Sequence, residues 1–432
     1  MANPPVPLNF LTEVRLADVP VIYRRFANLI GKGHWERRVA QMDAVIRSSP
    51  LMADHLRSEN AIAYGLQRCG ELLNMHGALF DDAAADELYP MIGFAAQALW
   101  MIDAATSIEA GKMVSRLRDA LENPDGMRGL RLELAAATHF ARRGLQLEWP
   151  EMVGGGTFDL LVRFSENLSL EVECKSISNN KGRSIHRHEA IAMHQLLLAR
   201  LQPVLATLTN GLCVVLTVPQ RLPTLQEHRV ALAERVKDQI FIGTSARLPD
   251  DIDLHIREFK PEVLGDFAGT GRIERSTLAS LIGGASKEAM ILGGGRGGVL
   301  VIVLQSMSRD DMLAAVFATL RTAAKQQLTS TRAGLLVAGF DGVTSAQMQS
   351  IASLHNDPRQ PTNVLEQSVR RLLSSRQRNH LIGVALWSRS ELLSPRLEVT
   401  DSAGVSFYFP SRTGRFWSDE FGGLFRSPSF AG

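Results

Sequence analysis

The sequence predicts an α/β protein with a helical N-terminal domain, a central mixed core and a C-terminal α/β region. Three observations predict it. The pattern is helical from Val21 to about Leu121, and residues 157–175 alternate between apolar and polar positions as half-buried strands do. Beyond Val218, apolar strand-like runs alternate with helical ones, as in α/β folds. The expected domains are 1–124, 125–220 and 221–432.

The composition is that of an ordinary globular protein. The chain has 432 residues, 45% hydrophobic and 21% charged, which is enough for two or three domains. Without a run of eighteen apolar residues or a secretory leader pattern at its start, it is expected to be cytoplasmic and not in a membrane. Three distant cysteines, Cys69, Cys174 and Cys213, form neither a zinc spacing nor a disulfide framework, which favours a reducing compartment.

The N-terminal domain is expected to contain about five helices. The sequence Asn123-Pro-Asp-Gly126 is a turn signal and marks the predicted boundary with the core. Basic residues occur near the start of this domain and, as Arg116 and Arg118, near its end. A solvated helix face is the favoured interpretation of these residues. A surface that docks DNA or a protein partner is the alternative.

The central region reads as one helix, three strands, a second helix and a last strand. The hairpin formed by residues 157–175 supplies its second and third strands. The predicted bounds of the other elements are the helix Arg128–Arg143, the strand Leu145–Trp149, the helix Glu189–Leu208 and the strand Leu212–Val218. Pro203 is expected to kink or stop the second helix.

The register of the hairpin can be predicted from its turn. With the turn at Ser165–Asn167, paired residue numbers sum to 332, and every pair on one face is apolar: Phe164/Leu168, Val162/Leu170, Leu160/Val172 and Phe158/Cys174. On the other face this register places Asp159 across from Glu173, about 4.5–5.5 Å apart at Cβ. Two like charges so close repel, and a divalent cation would compensate them. Lys175 is expected on the same face.

This spacing resembles a known nuclease motif. Asp159, followed after thirteen residues by Glu173-Cys174-Lys175, resembles the D-x(n)-(D/E)-x-K pattern of the PD-(D/E)xK nucleases. The resemblance covers residues 125–219 and implies a restriction-endonuclease-like αβββαβ core. In that family the acidic residue and the E-x-K lie on adjacent strands, and a Glu often lies on the preceding helix. Phe158 stands where the family pattern has Pro.

Glu133 is the candidate for that helix-borne Glu. It lies within an apolar stripe made of Leu130, Leu134, Ala137 and Ala141. An ionised carboxylate that faces a core is costly unless it is paired or bound to a metal. The alternative is that Glu133 lies at the edge of the stripe and pairs with Arg128 or Arg131.

The resemblance implies metal-assisted hydrolysis of a phosphodiester. Asp159, Glu173 and the backbone carbonyl of Cys174 would hold Mg²⁺, with Mn²⁺ as an alternative. Lys175 would orient the attacking water or stabilise developing negative charge. Glu133 would assist through a second ion or a bridging water.

A basic segment follows the predicted catalytic strand. Lys181, Arg183, His186 and Arg187 are expected to contact the phosphates of a nucleic acid, with DNA favoured over RNA, while a solvated loop is the alternative. His186 and His188 have no acidic or cysteine partner at ligand spacing, so phosphate contact is preferred over metal binding there.

Two other interpretations of the candidate residues remain. Asp159, Glu173 and Lys175 could form a charge ladder on a solvated sheet face. Alternatively, the chain could be a catalytically silent, nuclease-like subunit for binding or assembly. A protein partner or a homo-oligomer is a further expectation, and a role in defence or in a mobile element is a hypothesis drawn from the large flanks. The C-terminal strands, such as Val299–Leu304 and Ala333–Gly339, either extend the nuclease sheet or form a separate domain.

Overall fold

The computed structural model shows a mixed α/β protein with two mixed sheets. It describes residues 13–14, 16–76, 82–178, 180–264, 288–341, 343, 348, 364–388, 391–392, 400–403 and 406–425. The chain divides into two compact units. The first comprises Met1–Ala44, Leu56–Lys181 and Leu313–Gly432, and the second comprises Val45–His55 and Gly182–Met312. Within the described residues, no helix has the length and apolar character that a membrane span requires.

The N-terminal part is helical, as predicted, and its described residues form six α-helices. They are α1 Val19–Ile30, α2 Gly33–Ser48, α3 Ala53–Glu59, α4 Ala61–His76, α5 Asp82–Ala104 and α6 Ser107–Glu122. Helix α1 shows why such segments fold: Ile22, Phe26 and Ile30 recur at four-residue spacing and are all buried.

Helix α7, Pro124–Ala141, forms a helical hairpin with α6. Asn123 caps α7 by accepting a hydrogen bond from the N–H of Asp125, and Pro124 occupies the first turn. The two helices bury apolar residues in the same core. The turn that was predicted to be a domain boundary at residue 124 therefore lies inside the first unit.

The first unit contains a six-stranded sheet with the order β14-β11-β10-β4-β3-β2. Its strands are β2 Gln146–Glu148, β3 Leu160–Arg163, β4 Ser169–Ile177, β10 Ala333–Phe340, β11 Leu381–Trp387 and β14 Ser406–Pro410. Strand β3 runs antiparallel to β2 and β4, whereas β10 is parallel to both β4 and β11. Strand β14 closes the described sheet antiparallel to β11. A four-residue helix, α8 Pro150–Val153, follows β2.

The β3–β4 register is the predicted one, since Leu160 pairs with Val172 and Val162 with Leu170. The predicted pair Phe158/Cys174 is wrong. Phe158 lies in a bend before β3 and packs with Leu161, on the face of the sheet opposite to Leu160 and Val172.

Both faces of this sheet are covered. Helix α7 packs on the face of Leu160 and Val172. The other face is covered by α11 Met312–Gln326 and α12 Val364–Leu373. The face that carries Glu173 is therefore not solvated, and the charge-ladder interpretation is wrong in that respect.

The second unit has its own five-stranded sheet, in the order β6-β7-β5-β9-β8. Its elements are α9 Arg187–Thr207, β5 Gly211–Val218, α10 Gln226–Ile242, β6 Ala246–Leu248, β7 Ile252–Phe259, β8 Glu288–Gly293 and β9 Val299–Ser306. Helix α9 continues through Pro203 instead of ending there.

The helix and strand predicted to complete the core, α9 and β5, belong to this second unit. The strand that pairs with β4 is β10, after α11, so the predicted boundary at residue 220 is wrong. Both β5 and β10 are apolar strands that follow a helix, and the sequence pattern alone does not choose between them. The C-terminal region thus divides: β10, β11 and β14 extend the first sheet, whereas β6 to β9 join β5.

The two ends of the 182–312 segment are hydrogen-bonded to each other within the second unit. The N–H of Asp311 donates to the carbonyl of Gly182 at 2.9 Å, and the N–H of Ser184 donates to the Asp310 carboxylate at 2.9 Å. Gly182 has φ +70°, and a Cβ there would lie 2.5 Å from the carbonyl oxygen of Asp311. Only glycine fits this crossing, which we call the clasp.

The remaining described strands form a three-stranded sheet in the order β1-β13-β12, made of β1 Glu13–Val14, β13 Thr400–Ala403 and β12 Glu391–Leu392. Two predicted helices, residues 275–282 and most of 345–354, lie outside the described residues.

Candidate functional site

The four predicted catalytic residues come together in the first unit. Glu133 lies on α7, Asp159 immediately precedes β3, and Glu173 and Lys175 lie on β4. Mutual electrostatic effects join Asp159 to Glu133, Glu173 and Lys175. The three carboxyl residues are buried, with Glu133 5%, Asp159 9% and Glu173 1% exposed. We call these four residues the carboxylate cluster.

A turn of glycines brings the chain to Asp159. A Cβ on Gly156 would lie 2.8 Å from the ring of Phe158, so the backbone approaches closer here than most residues permit. The hydrogen-bonded pairing between β3 and β4 ends at Leu160. Beyond this point β4 is hydrogen-bonded to the side chain of Asp159. Its Oδ2 accepts the N–H of Cys174 at 2.7 Å.

The Cys174 carbonyl is oriented by the same contact. In a strand, the N–H and C=O of one residue point to the same side. Because the N–H of Cys174 points to Asp159, its carbonyl points to that side too, where β3 has already ended. This is the oxygen that was predicted to be a backbone metal ligand.

Glu173 is the most deeply buried member of the cluster. Its Oε1 lies 2.5 Å from the Nζ of Lys175, whose side chain is one quarter exposed. Its Oε2 is buried and has no hydrogen-bond partner among the described residues. Burial, and then the neighbouring Asp159, raise the pKa of Glu173 to about 8, although Lys175 opposes the shift.

Glu133 is paired with Arg116 of α6, whose Nη2 donates to Oε1 at 2.7 Å. Two expectations are corrected by this contact: Glu133 does not pair with Arg128, which binds Glu59, and Arg116 is not merely part of a solvated face. The other oxygen of Glu133, Oε2, is buried without a hydrogen-bond partner in the described structure. Burial and Asp159 raise the pKa of Glu133 to about 8.

The pKa of Asp159 is also raised, but by less than that of Glu133 or Glu173. Burial raises its pKa, while the hydrogen bond from Cys174 and the charge of Lys175 act to lower it.

A fourth carboxyl, Glu151 on α8, lies 3.8 Å from Arg116 and is mostly exposed. When all four carboxyls are ionised, Arg116 and Lys175 leave two negative charges unbalanced, which is the charge of one divalent cation.

Arg116 and Glu151 were missed by the sequence analysis. Arg116 lies seven residues before Asn123 and Glu133 lies ten residues after it, so the turn alone does not pair them. Their contact depends on how α6 packs on α7. Glu151 has no signal either, since it lies in a four-residue helix.

The donor set fits a hard cation. The Oε2 atoms of Glu133 and Glu173 are buried acceptors without donors in the described structure, and a cation would satisfy them. The oxygens of Glu133, Asp159 and Glu173 do not all lie within 4.8 Å of one another among the described residues. Mg²⁺ keeps several waters and is often held by only one or two carboxylates, so it does not require oxygens from all three residues at once.

A cavity of about 110 Å³ lies at the carboxyl ends of the parallel strands β4, β10 and β11. Ser176, which follows Lys175 on β4, lines it together with Arg128 and Arg131 of α7 and with Asp341. Because Arg128 is paired with Glu59 and Asp125, this cavity is not a site of free positive charge.

The predicted nucleic-acid-binding residues are divided between the units. Lys181 belongs to the first unit, whereas Arg183, His186 and Arg187 belong to the second. Arg183 donates to the Glu288 carboxylate at 2.8 Å, so part of its charge is neutralised. Phosphate contact by this segment remains a prediction.

The second unit also contains a group that the sequence analysis set aside. His186 and His188 do have an acidic partner, Glu189, and the ligand atoms of the three lie within 4.8 Å of one another. The prediction that the two histidines have no acidic partner at ligand spacing is therefore wrong, because Glu189 directly follows His188.

Comparisons with known proteins find no matching family model, no matching curated protein and no matching solved structure.

Proposed function

We propose that the first unit hydrolyses phosphodiester bonds of nucleic acid with the help of a divalent cation, Mg²⁺ being preferred and Mn²⁺ the alternative. The observation that carries the proposal is that Glu133, Glu173 and Lys175 all lie near Asp159, while the buried Oε2 atoms of Glu133 and Glu173 have no hydrogen-bond partner in the described structure. Purely structural carboxylates are normally satisfied, as Glu171 is by Thr329.

The order of elements supports the same reading. In the first unit helix α7 is followed along the chain by β2, β3, β4, α11 and β10, and these four strands belong to one sheet. Helix α9 and strand β5 belong to the second unit. This αβββαβ order is the one that the PD-(D/E)xK resemblance implies. In this proposal residues 182–312, the larger part of the second unit, are an insertion between the third strand and the second helix of a restriction-endonuclease-like core.

Each residue has a role that its contacts permit. Asp159, Glu173 and the Cys174 carbonyl would hold the cation, which when bound neutralises phosphate charge and lowers the pKa of a water. Lys175 now pairs with Glu173, and its partly exposed ammonium can turn to a phosphate oxygen or the attacking water. Arg116 keeps one oxygen of Glu133 engaged, so Oε2 is the atom free to accept a proton or hydrogen bond from water.

The substrate is expected to be DNA in preference to RNA. The partly exposed ammonium of Lys175, beside Glu173, supplies positive charge that a phosphate could approach. Salt should therefore weaken binding.

The proposal is tested by incubating the purified protein with plasmid, linear DNA and RNA in Mg²⁺ or EDTA. We expect cleavage that requires Mg²⁺ and is lost in Asp159→Asn and in Lys175→Ala. Glu166→Gln is the matched control, because Glu166 is an exposed carboxylate in the turn of the same hairpin, at its other end.

Cleavage that persists in EDTA, or in Asp159→Asn, would exclude this mechanism. Binding of DNA without cleavage under any of these conditions would indicate the catalytically silent binding subunit instead.

A further inference from the structure

Two histidines and a glutamate gather at the start of α9 in the second unit. His186 immediately precedes the helix in an extended conformation, while His188 and Glu189 lie in its first turn. One ligand atom from each lies within 4.8 Å of the other two. We call these residues the histidine cluster.

The backbone organises the carboxylate of this cluster. The N–H of His186 donates to Oε2 of Glu189 at 3.2 Å, which ties the glutamate to the residue before the helix. Glu189 is only 8% exposed, so its side chain has little freedom to turn away. Its second oxygen remains for another bond. Hydrogen bonds of this kind orient metal ligands and contribute to their affinity.

We propose that His186, His188 and Glu189 bind a transition-metal ion of the Zn²⁺ class. Two imidazoles and one carboxylate are the protein ligands of many zinc sites that keep a fourth position open. At metal–ligand bonds of about 2.0–2.2 Å, ligand atoms on a tetrahedral ion lie about 3.3–3.6 Å apart. The ligand atoms lie within 4.8 Å of one another, and the exposed His188 side chain has room to rotate towards the other two.

A cavity beside His186 leaves room for the fourth coordination position of the metal. This cavity of about 270 Å³ in the same unit is lined by His186 together with Arg183, Arg221 and Ser308. A water or a small anion in this cavity would lie beside a metal held by His186. The arginines would favour an anion there.

This site differs in chemistry from the carboxylate cluster and does not depend on the proposed nuclease activity. Imidazole suits Zn²⁺, Co²⁺ and Ni²⁺, whereas an all-oxygen site suits Mg²⁺. Excess Mg²⁺ should therefore occupy the carboxylate cluster and leave the histidine cluster available.

The test is a titration of the untagged full-length protein with Co²⁺ in excess Mg²⁺, followed by visible absorption and then by displacement with Zn²⁺. We expect one equivalent of Co²⁺ with nitrogen-ligand absorption bands that Zn²⁺ abolishes. In His188→Ala the affinity should fall about 100-fold or more, because even loss of an outer-shell partner costs about 10–100-fold. His188 is exposed, so this variant should keep the fold.

His228→Ala is the matched control. His228 also lies at the start of a helix in the second unit beside a glutamate, Glu227, at 3.9 Å, and its side chain is 64% exposed. The His228→Ala protein should bind Co²⁺ with the same affinity as the unmodified protein. Absence of a one-equivalent site, or equal loss of binding in the His188 and His228 variants, would overturn the proposal.

Discussion

Replacing Glu173 with glutamine should stabilise the metal-free protein at high pH. The amide has nearly the shape of the protonated carboxyl but cannot ionise. In the folded protein, burial and the neighbouring Asp159 raise the pKa of Glu173 to about 8 from an ordinary 4.5. Between these values the folded chain holds a proton that the unfolded chain releases. Stability therefore falls as pH rises from 4.5 to 8, and the variant should escape this loss.

The pKa difference sets the size of the effect. Each pH unit between the two pKa values corresponds to about 1.4 kcal/mol, so ionising Glu173 at pH 9 costs up to about 5 kcal/mol. This is an upper bound, since the neighbouring Asp159 is protonated more readily as Glu173 ionises. We expect Glu173→Gln to exceed the unmodified protein by about 2–4 kcal/mol at pH 9 and by less than about 1 kcal/mol at pH 5.

The assay is thermal unfolding in EDTA at pH 5, 7 and 9, where 1 kcal/mol corresponds to about 2–4 °C. Mg²⁺ at one hundred times its Kd should then add about 2.7 kcal/mol to the unmodified protein alone. Glu166→Gln should follow the unmodified protein throughout, since Glu166 is exposed. Equal stability of Glu173→Gln and the unmodified protein at pH 9 in EDTA would refute the account of a buried, strained carboxyl.

Two further predictions concern features that hold the fold. Gly182→Ala should destabilise the second unit by more than Gly243→Ala: both glycines have positive φ, but only at Gly182 would the new methyl meet a backbone carbonyl. Hydrogen exchange of the clasp would show it, and equal protection in both variants would contradict it. Thr329→Val should lower the free energy of unfolding by about 1–3 kcal/mol, because it removes a hydrogen-bond donor from the fully buried Glu171. Thr322→Val, at an exposed helix position, should lower it only slightly. Denaturant unfolding distinguishes the two, and a similar small cost for both would count against a structural role for Glu171.

The β3–β4 hairpin could be predicted from sequence because its determinants are local. Alternation fixes which residues share a face, and a three-residue turn fixes the register, so the pairing of Leu160 with Val172 follows from a few neighbouring residues. The convergence of Asp159 with Glu173 is a consequence of that register.

The non-local parts could not be predicted in the same way. Arg116 reaches Glu133 through the packing of α6 on α7, and nothing in either helix alone requires that contact. The choice of β10 over β5 as the neighbour of β4 depends on the whole arrangement of two sheets, since both strands are equally apolar. Burial of Glu173 follows from α11 and α12, which begin more than one hundred residues later.

The clasp has a consequence for how such a chain could arise and be engineered. Because Gly182 and Asp311 are hydrogen-bonded neighbours, the polypeptide departs from and returns to nearly the same point. The host sheet then needs only a short connection from β4 to α11, and exchanging the segment for a brief loop leaves the entropy of closing that connection nearly unchanged. We therefore expect that a short loop can replace residues 182–312 in the chain, at the expense of Val45–His55, which belongs to the same unit.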